Sequence, residues 1–168
     1  MLNNFVNLGI SKEIVKALTD ISIEIPTEIQ AKAIPIILNE THDFVGLAKT
    51  GTGKTAAFGL PLLQLIDLKS NAIQVVILVP TRELGQQILS NFKLFSKYLP
   101  EISITSVCGG TPIKPQIEQL KDINHIVIAT PGRLIDLIER KAINLEQIQY
   151  VVLDEADEML NMGFQDDI

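Results

Sequence analysis

The chain is predicted to be an α/β protein built on a mostly parallel sheet. Short β-rich runs alternate with segments of helical period along its 168 residues. Most of those runs are apolar on both faces, as strands covered by helices on each side must be. The polar clusters fall just after the runs, at the strand ends where ligands of open α/β sheets bind.

The elements follow in order. A first helix starts from Ser11, a natural N-cap, and sets Ile14, Leu18 and Ile21 on one face. A second starts from Thr27. Phe44-Val45-Gly46-Leu47 is expected to be the first strand, leading through a glycine-rich turn into a helix from Gly53. The stripe Leu60, Leu63 and Ile66 on that helix is expected to be core. Val75 to Val79 is the clearest strand, followed by a helix from Arg82. Ile102 to Val107 and His125 to Ala129 are further strands, with helices from Pro112 and Pro131. Gln149 to Leu153 is the last strand, and Met159 and Met162 are expected to pack the helix begun after it. Such an order implies right-handed parallel crossovers.

The totals fit one domain over residues 1–168, large enough to bury a core. At 46% hydrophobic residues the chain is not disordered. No apolar run reaches the ~18 residues of a membrane span, and Met1 to Leu8 shows no secretory pattern. The single cysteine, Cys108, fits a reducing compartment and reads as a small buried residue. A cytoplasmic location is expected. Net charge is −6, which argues against a simple basic nucleic-acid binder. Residues 1–153 are neutral in sum, and the whole excess lies in Asp154, Glu155, Asp157, Glu158, Asp166 and Asp167. Because that cluster abuts the apolar Tyr150–Leu153, folded structure should fix its first members.

Two motifs carry chemistry by themselves. Ala48-Lys49-Thr50-Gly51-Thr52-Gly53-Lys54-Thr55 stands between a strand-like run and a helix. Glycines let backbone N–H groups turn toward phosphate oxygens, and the helix N-terminus adds its positive dipole end. Lys54 would reach the β- and γ-phosphates, and the Thr55 hydroxyl would ligate Mg²⁺. The usual pattern opens with Gly, where this chain has Ala48. The bland alternative is a tight turn. The second motif is Asp154-Glu155-Ala156-Asp157. Phosphoryl transfer to water needs a carboxylate for Mg²⁺ and a group to orient the water. Asp154 is the metal candidate, through water, and Glu155 the candidate base. Two acids at a helix start can also serve the helix dipole alone. Neither His42 nor His125 has partners at metal-ligand spacing, so both read as structural.

With these residues in place, the sequence resembles the DEAD-box RNA helicase family, whose namesake is the tetrapeptide Asp154–Asp157. Pro80-Thr81-Arg82-Glu83-Leu84 with Gln87 resembles motif Ia, Gly109-Gly110 the GG element, and Thr130-Pro131-Gly132-Arg133 motif Ib. Pro26-Thr27-Glu28-Ile29-Gln30 resembles the adenine-reading Q motif. Phe5, 17 residues before Ser22, stands where the family keeps an aromatic that stacks on adenine. Ser22 replaces the glycine that opens the Q motif, and Ile25 fills a position often polar but acting through its backbone. An amide at Gln30 can donate to and accept from one adenine edge, favouring ATP over GTP. Thr27 and Gln30 also stand at capping-box spacing, which leaves a local alternative.

The resemblance implies a three-layer α/β/α, RecA-like P-loop domain with ATP and Mg²⁺ as cofactors. It implies nucleotide contacts from Phe5, Ile25, Gln30, Ala48 and Thr50 to Thr55. It implies contacts to the RNA sugar-phosphate backbone from Pro80, Thr81, Arg82, Gly110, Thr130 and Arg133; hydroxyls, a close-approach glycine and guanidinium groups suit phosphates and read no base. Helix-surface salt bridges and an ordinary turn are the local alternatives for those residues. Asp157 is implied to couple the nucleotide to a Ser-Ala-Thr motif that follows a further strand, beyond Ile168. A second RecA-like domain would supply an arginine finger, contributing about 10³–10⁵ in rate. The chain by itself is therefore expected to bind nucleotide, hydrolyse it very slowly and unwind nothing. It is also expected to carry an unpaired sheet edge and a bare apolar face. The complete enzyme would unwind RNA locally by closing two domains on ATP and RNA. A P-loop ATPase acting on DNA and a non-enzymatic nucleotide-binding fragment are the alternatives.

Overall fold

The computed structural model describes residues 4–39 and 42–166. They fall into two compact units, Met1–Asp67 with Asn91–Glu101, and Leu68–Ser90 with Ile102–Ile168.

The first unit is helical: α1 (Asn4–Asn7), α2 (Lys12–Asp20), α3 (Glu28–Asn39) and α4 (Lys54–Leu65). Ser11 caps α2 as expected, its side chain accepting from the Ile14 N–H. Ile14, Ala17 and Leu18 are buried on the inward face of α2. α3 packs against α4, with Ala33 and Ile34 buried on α3 and Leu60 and Leu63 on α4. Each large apolar side chain so buried contributes roughly 1.5–3 kcal/mol. Gln64 reaches back from α4, accepting from the Ser11 N–H at 2.7 Å and donating to the Gly9 carbonyl at 2.9 Å. That bond pair fixes the turn between α1 and α2 on α4. Phe92 and Phe95 stack into the same unit, and Phe92 lies against Gly59, where an added Cβ would come within 2.8 Å of the ring.

The second unit is a sheet of four parallel strands: β1 (Val75–Leu78), β2 (Ile104–Val107), β3 (Ile126–Ala129) and β4 (Tyr150–Leu153). Their order is β2-β3-β1-β4. α6 (Ile113–Gln119), α7 (Pro131–Glu139) and α8 (Ala156–Asn161) are the helices that lie wholly in this unit, and a 3₁₀ turn covers Phe164–Asp166. α5 (Arg82–Phe95) contributes its first nine residues. Alternation assigns the two faces. Val76, Leu78, Val107, Val127 and Ala129 pack with Leu134, Leu137 and Met159, so α7 and α8 cover one face, with Ile113 and Ile117 of α6 against the same cluster. On the other face Gly85 of α5 lies so close that an added Cβ would stand 2.8 Å from the Cys108 sulfur and 3.3 Å from Val79. Helices therefore lie on both faces of the sheet, the three-layer arrangement expected.

Two expectations need correction. Residues 44–47 form no strand: Val45 is 83% and Leu47 92% exposed, and no described strand pairs with them. β-rich composition supplies propensity, but a strand exists only when its N–H and C=O groups have a ladder to join. Nor is β4 buried on both faces. It lies at the sheet edge, and Val151 is 60% exposed. The expected core stripe Leu60, Leu63 and Ile66 is buried, and so is Met159, whereas Met162 caps α8 and is half exposed.

Candidate functional site

In the first unit, the loop 48–53 leads into α4, which starts at Lys54 with Gly53 as N-cap. Gly53 has φ +89°, a left-handed conformation that glycine adopts without steric cost. Gly53 supplies no side-chain cap to α4, and the helix N-terminus places the positive end of its dipole at this loop. Gln30 is 4% exposed on α3. Its Oε1 accepts from the Thr27 N–H at 2.9 Å, and its Nε2 donates to the Gly53 carbonyl at 3.1 Å. One lone pair thus closes the helix start, as the capping alternative has it, and one N–H holds the glycine-rich loop at Gly53. One donor and one acceptor position remain on the amide. A cleft of ≈ 440 Å³ in the same unit is lined by Thr27, Glu28, Ile29, Lys32, Leu47, Ala48, Lys49 and Thr52; Gln30 itself does not line it. Ile25 is exposed at the entrance to α3. Thr52 braces the loop by donating to the Lys49 carbonyl at 2.7 Å. Phe5 departs from expectation. It is fully buried, so its ring is a core side chain here and offers no open face for stacking.

In the second unit, parallel register builds the site. Leu78 stands opposite Ala129 and Leu153, and Ala129 opposite Val107. All four strands thus end at one level. Pro80-Thr81-Arg82, Cys108-Gly109-Gly110, Thr130–Arg133 and Asp154-Glu155 leave the sheet together at its carboxyl end. Thr81 caps α5, its hydroxyl accepting from the Leu84 N–H at 3.3 Å. Arg82 and Gly110 are exposed, and Gly110 takes φ +78° with open space where a side chain would be. Pro80 is buried, so it shapes the turn and does not face a ligand. The Gly109 N–H donates to the Thr130 hydroxyl at 3.0 Å. Arg133 points inward: Nη1 donates to Gln116 Oε1 at 2.6 Å and Nη2 to the Thr111 carbonyl at 2.8 Å. Two of its five N–H donors therefore support the glycine turn.

Asp154 is buried, and its Oδ1 accepts from the Glu155 N–H at 3.1 Å. Glu155 takes φ +55°, which is uncommon for a residue with a Cβ. Such backbone strain concentrates at functional positions. Asp157, in the first turn of α8, is exposed. Among the described residues no group of three or more His, Cys, Asp and Glu could hold a metal. A single buried carboxylate fits a Mg²⁺ that arrives on phosphate oxygens and keeps several waters. His125 is structural, its Nδ1 accepting from the Ser103 N–H at 3.0 Å. Cys108 is buried, and burial pushes its thiol pKa up.

Gln116 is the site residue that sequence reasoning missed. The available signal was a lone amide within the apolar helical stripe Ile113, Ile117 and Leu120.

The DEAD/DEAH box helicase family model matches residues 27–168. The chain belongs to the DEAD/DEAH box helicase family. It is 49% identical over 168 residues to the RNA helicase CrhR of Synechocystis, and 47% identical over 167 residues to the ATP-dependent RNA helicase CshA of Listeria monocytogenes. These matches cover 100% and 99% of this chain but 34% and 32% of those proteins, so the chain spans about a third of the curated relatives' length. A DEAD box protein from Methanococcus jannaschii superposes with a TM-score of 0.91 at 43% identity, over 97% of this chain and 44% of that one. Prp28 from Chaetomium thermophilum bound to ADP gives 0.87 at 40% identity, over 95% of this chain and 40% of that one. The DEAD-box RecA-like fold is thereby shown. Among the described residues no helix is long and apolar enough to cross a membrane.

Proposed function

We propose that residues 1–168 are the N-terminal RecA-like domain of an ATP-dependent RNA helicase, in which ATP binding and hydrolysis drive local separation of RNA strands. The observation that carries this reading is the common level at which four parallel strands release Thr81-Arg82, Gly109-Gly110, Thr130–Arg133 and Asp154-Glu155. The glycine-rich entry to α4, with Gln30 bonded to Gly53, supports a nucleotide site. Names of relatives as RNA helicases, and a yeast Dbp5 variant of 31% identity bound to RNA and ADP BeF₃, support RNA as the polymer over DNA.

In this reading, Gln30 reads the adenine edge with its remaining donor and acceptor, with Ile25 contributing backbone. Residues 48–55 cradle the phosphates: N–H groups of Thr50–Thr55 meet the oxygens, and Lys54 neutralises the β- and γ-phosphates. Mg²⁺ would be held by the Thr55 hydroxyl and, through water, by Asp154; it supplies charge neutralisation during phosphoryl transfer. Glu155 orients the attacking water. Thr81, Arg82, Gly110 and Thr130 grip the RNA sugar-phosphate backbone without reading sequence. Asp157 couples the two sites. A second RecA-like domain completes both, so turnover and unwinding require more than these 168 residues. The working place is the cytoplasm, consistent with a reduced, buried Cys108.

Thermal unfolding with Mg²⁺-ATP, with Mg²⁺-GTP as comparison, tests the nucleotide half. At 100 times Kd, ATP should add about 2.7 kcal/mol of stability. The shift should be small with GTP and lost in Gln30→Ala. No shift at millimolar ATP would remove the nucleotide reading.

A further inference from the structure

We propose that Gln116, on α6, is a positioning residue that locks the Gly109-Gly110 turn to the Thr130–Arg133 turn, so that the two form one preformed surface for a nucleic-acid backbone. The proposal rests on the RNA reading above, and deepens it.

The Gln116 side chain makes its hydrogen bonds to these two turns. Nε2 donates to the Cys108 carbonyl at 2.9 Å and to the Thr111 hydroxyl at 2.8 Å. Oε1 accepts from Arg133 at 2.6 Å. Arg133 closes a ring by donating to the Thr111 carbonyl, and Thr130 takes the Gly109 N–H. The glycine turn is therefore held at residues 108, 109 and 111, on both sides of Gly110. Gly110 stays exposed, with open space beside it. A turn fixed at its shoulders and bare at its tip is what a close-approaching phosphate-sugar chain requires.

The chemistry selects glutamine. Two donors must face a carbonyl and a hydroxyl while one acceptor faces a guanidinium. Glutamate lacks the donors, lysine would repel Arg133, and methionine fills the volume with no hydrogen bonds. Burial raises the stakes, because without Gln116 the Cys108 carbonyl keeps only the long 3.4 Å bond from the Thr111 hydroxyl. Asn124 shows the contrast. It is as buried, but it bonds Thr105 and the carbonyls of Gln119 and Asp122, all before β3 and away from the turns.

The test compares the native chain with Gln116→Ala, Gln116→Met and Asn124→Ala, well below their melting temperatures. Three quantities are read: affinity for a single-stranded oligouridine RNA, amide hydrogen exchange at Gly109 to Thr111, and thermal midpoint. Both Gln116 variants should bind RNA about tenfold more weakly and exchange faster at Gly109, with β1 and β3 amides still protected. Asn124→Ala should lower the midpoint yet keep native RNA affinity. Should Gln116→Ala fail to fold, Gln116→Met carries the test with volume preserved. Native RNA affinity in folded Gln116→Met overturns the proposal, because packing alone would then suffice. If the native chain binds no RNA, the RNA reading falls and this role with it. The exchange data would then report separately whether Gln116 orders the turn.

Discussion

Ser22 and Glu155 both hold left-handed backbone with a side chain attached, at φ +58° and +55°. At Ser22 nothing functional requires the side chain, so Ser22→Gly should raise stability by about 0.5–1 kcal/mol, the relief of the left-handed conformation less glycine's entropy cost. A denaturant midpoint at or below the native value would show that the serine hydroxyl offsets the strain. At Glu155 the strain accompanies the carboxylate proposed to orient water. Glu155→Gln keeps shape and backbone, so the midpoint should move by less than about 0.5 kcal/mol. In the proposed reading, ATP turnover of a two-domain helicase carrying this domain should fall by about 10²–10⁴-fold. Cys108 supplies a pH test. Burial raises its folded pKa above the ordinary thiol value, so its contribution is complete below that value and is lost as pH rises through the folded pKa. Stability should therefore decline on the alkaline side, and Cys108→Ala should flatten that decline. Thiol reagents at pH 8 should label the native chain far more slowly than the unfolded one.

Helix and strand placement was legible because period and punctuation carry it. Ser11, Pro131 and the Arg82 start lie within a residue of the observed helix beginnings. The stretch 44–47 was misread because a strand is a relation between segments, and sequence shows only one of them. α5 shows how tightly elements meet: a Cβ at Gly85 would stand 2.8 Å from Cys108 and 3.3 Å from Val79. Gly85→Ala should cost about 1–3 kcal/mol by overpacking. Adding Cys108→Ala should recover part of that loss, and a double-mutant cycle measures the coupling. Between α2 and the segment that follows α5, Asp20 accepts from Lys97 and from the Tyr98 hydroxyl. Those hydrogen bonds, Lys97 first, hold its carboxyl below the usual aspartate range. Its contribution is present above the ordinary aspartate pKa and fades as pH falls through the lower folded value. Native and Asp20→Asn unfolding curves should converge in acid.

At the scale of the molecule, net charge is −6 while the proposed RNA surface holds Arg82 and the open ends of four parallel strands. Binding should therefore be weak and salt-dependent, the slope of log K against log salt shrinking by about 0.7 for each single-strand phosphate contact removed. Arg82→Ala tests this, and an unchanged slope would remove Arg82 from the contacts. The sequence by itself determined the α/β class, the family, the glycine-rich loop and the acidic motif, because these reside in local spacing: a glycine-rich turn before a helix, acids directly after an apolar strand. Only tertiary structure decided which side chains face outward. It buried Phe5, turned Arg133 inward onto Thr111, and made Gln116 the joint between two turns. Orientation of that kind depends on partners distant in sequence, 17 residues apart for Gln116 and Arg133, and on which donor finds which acceptor once water is excluded.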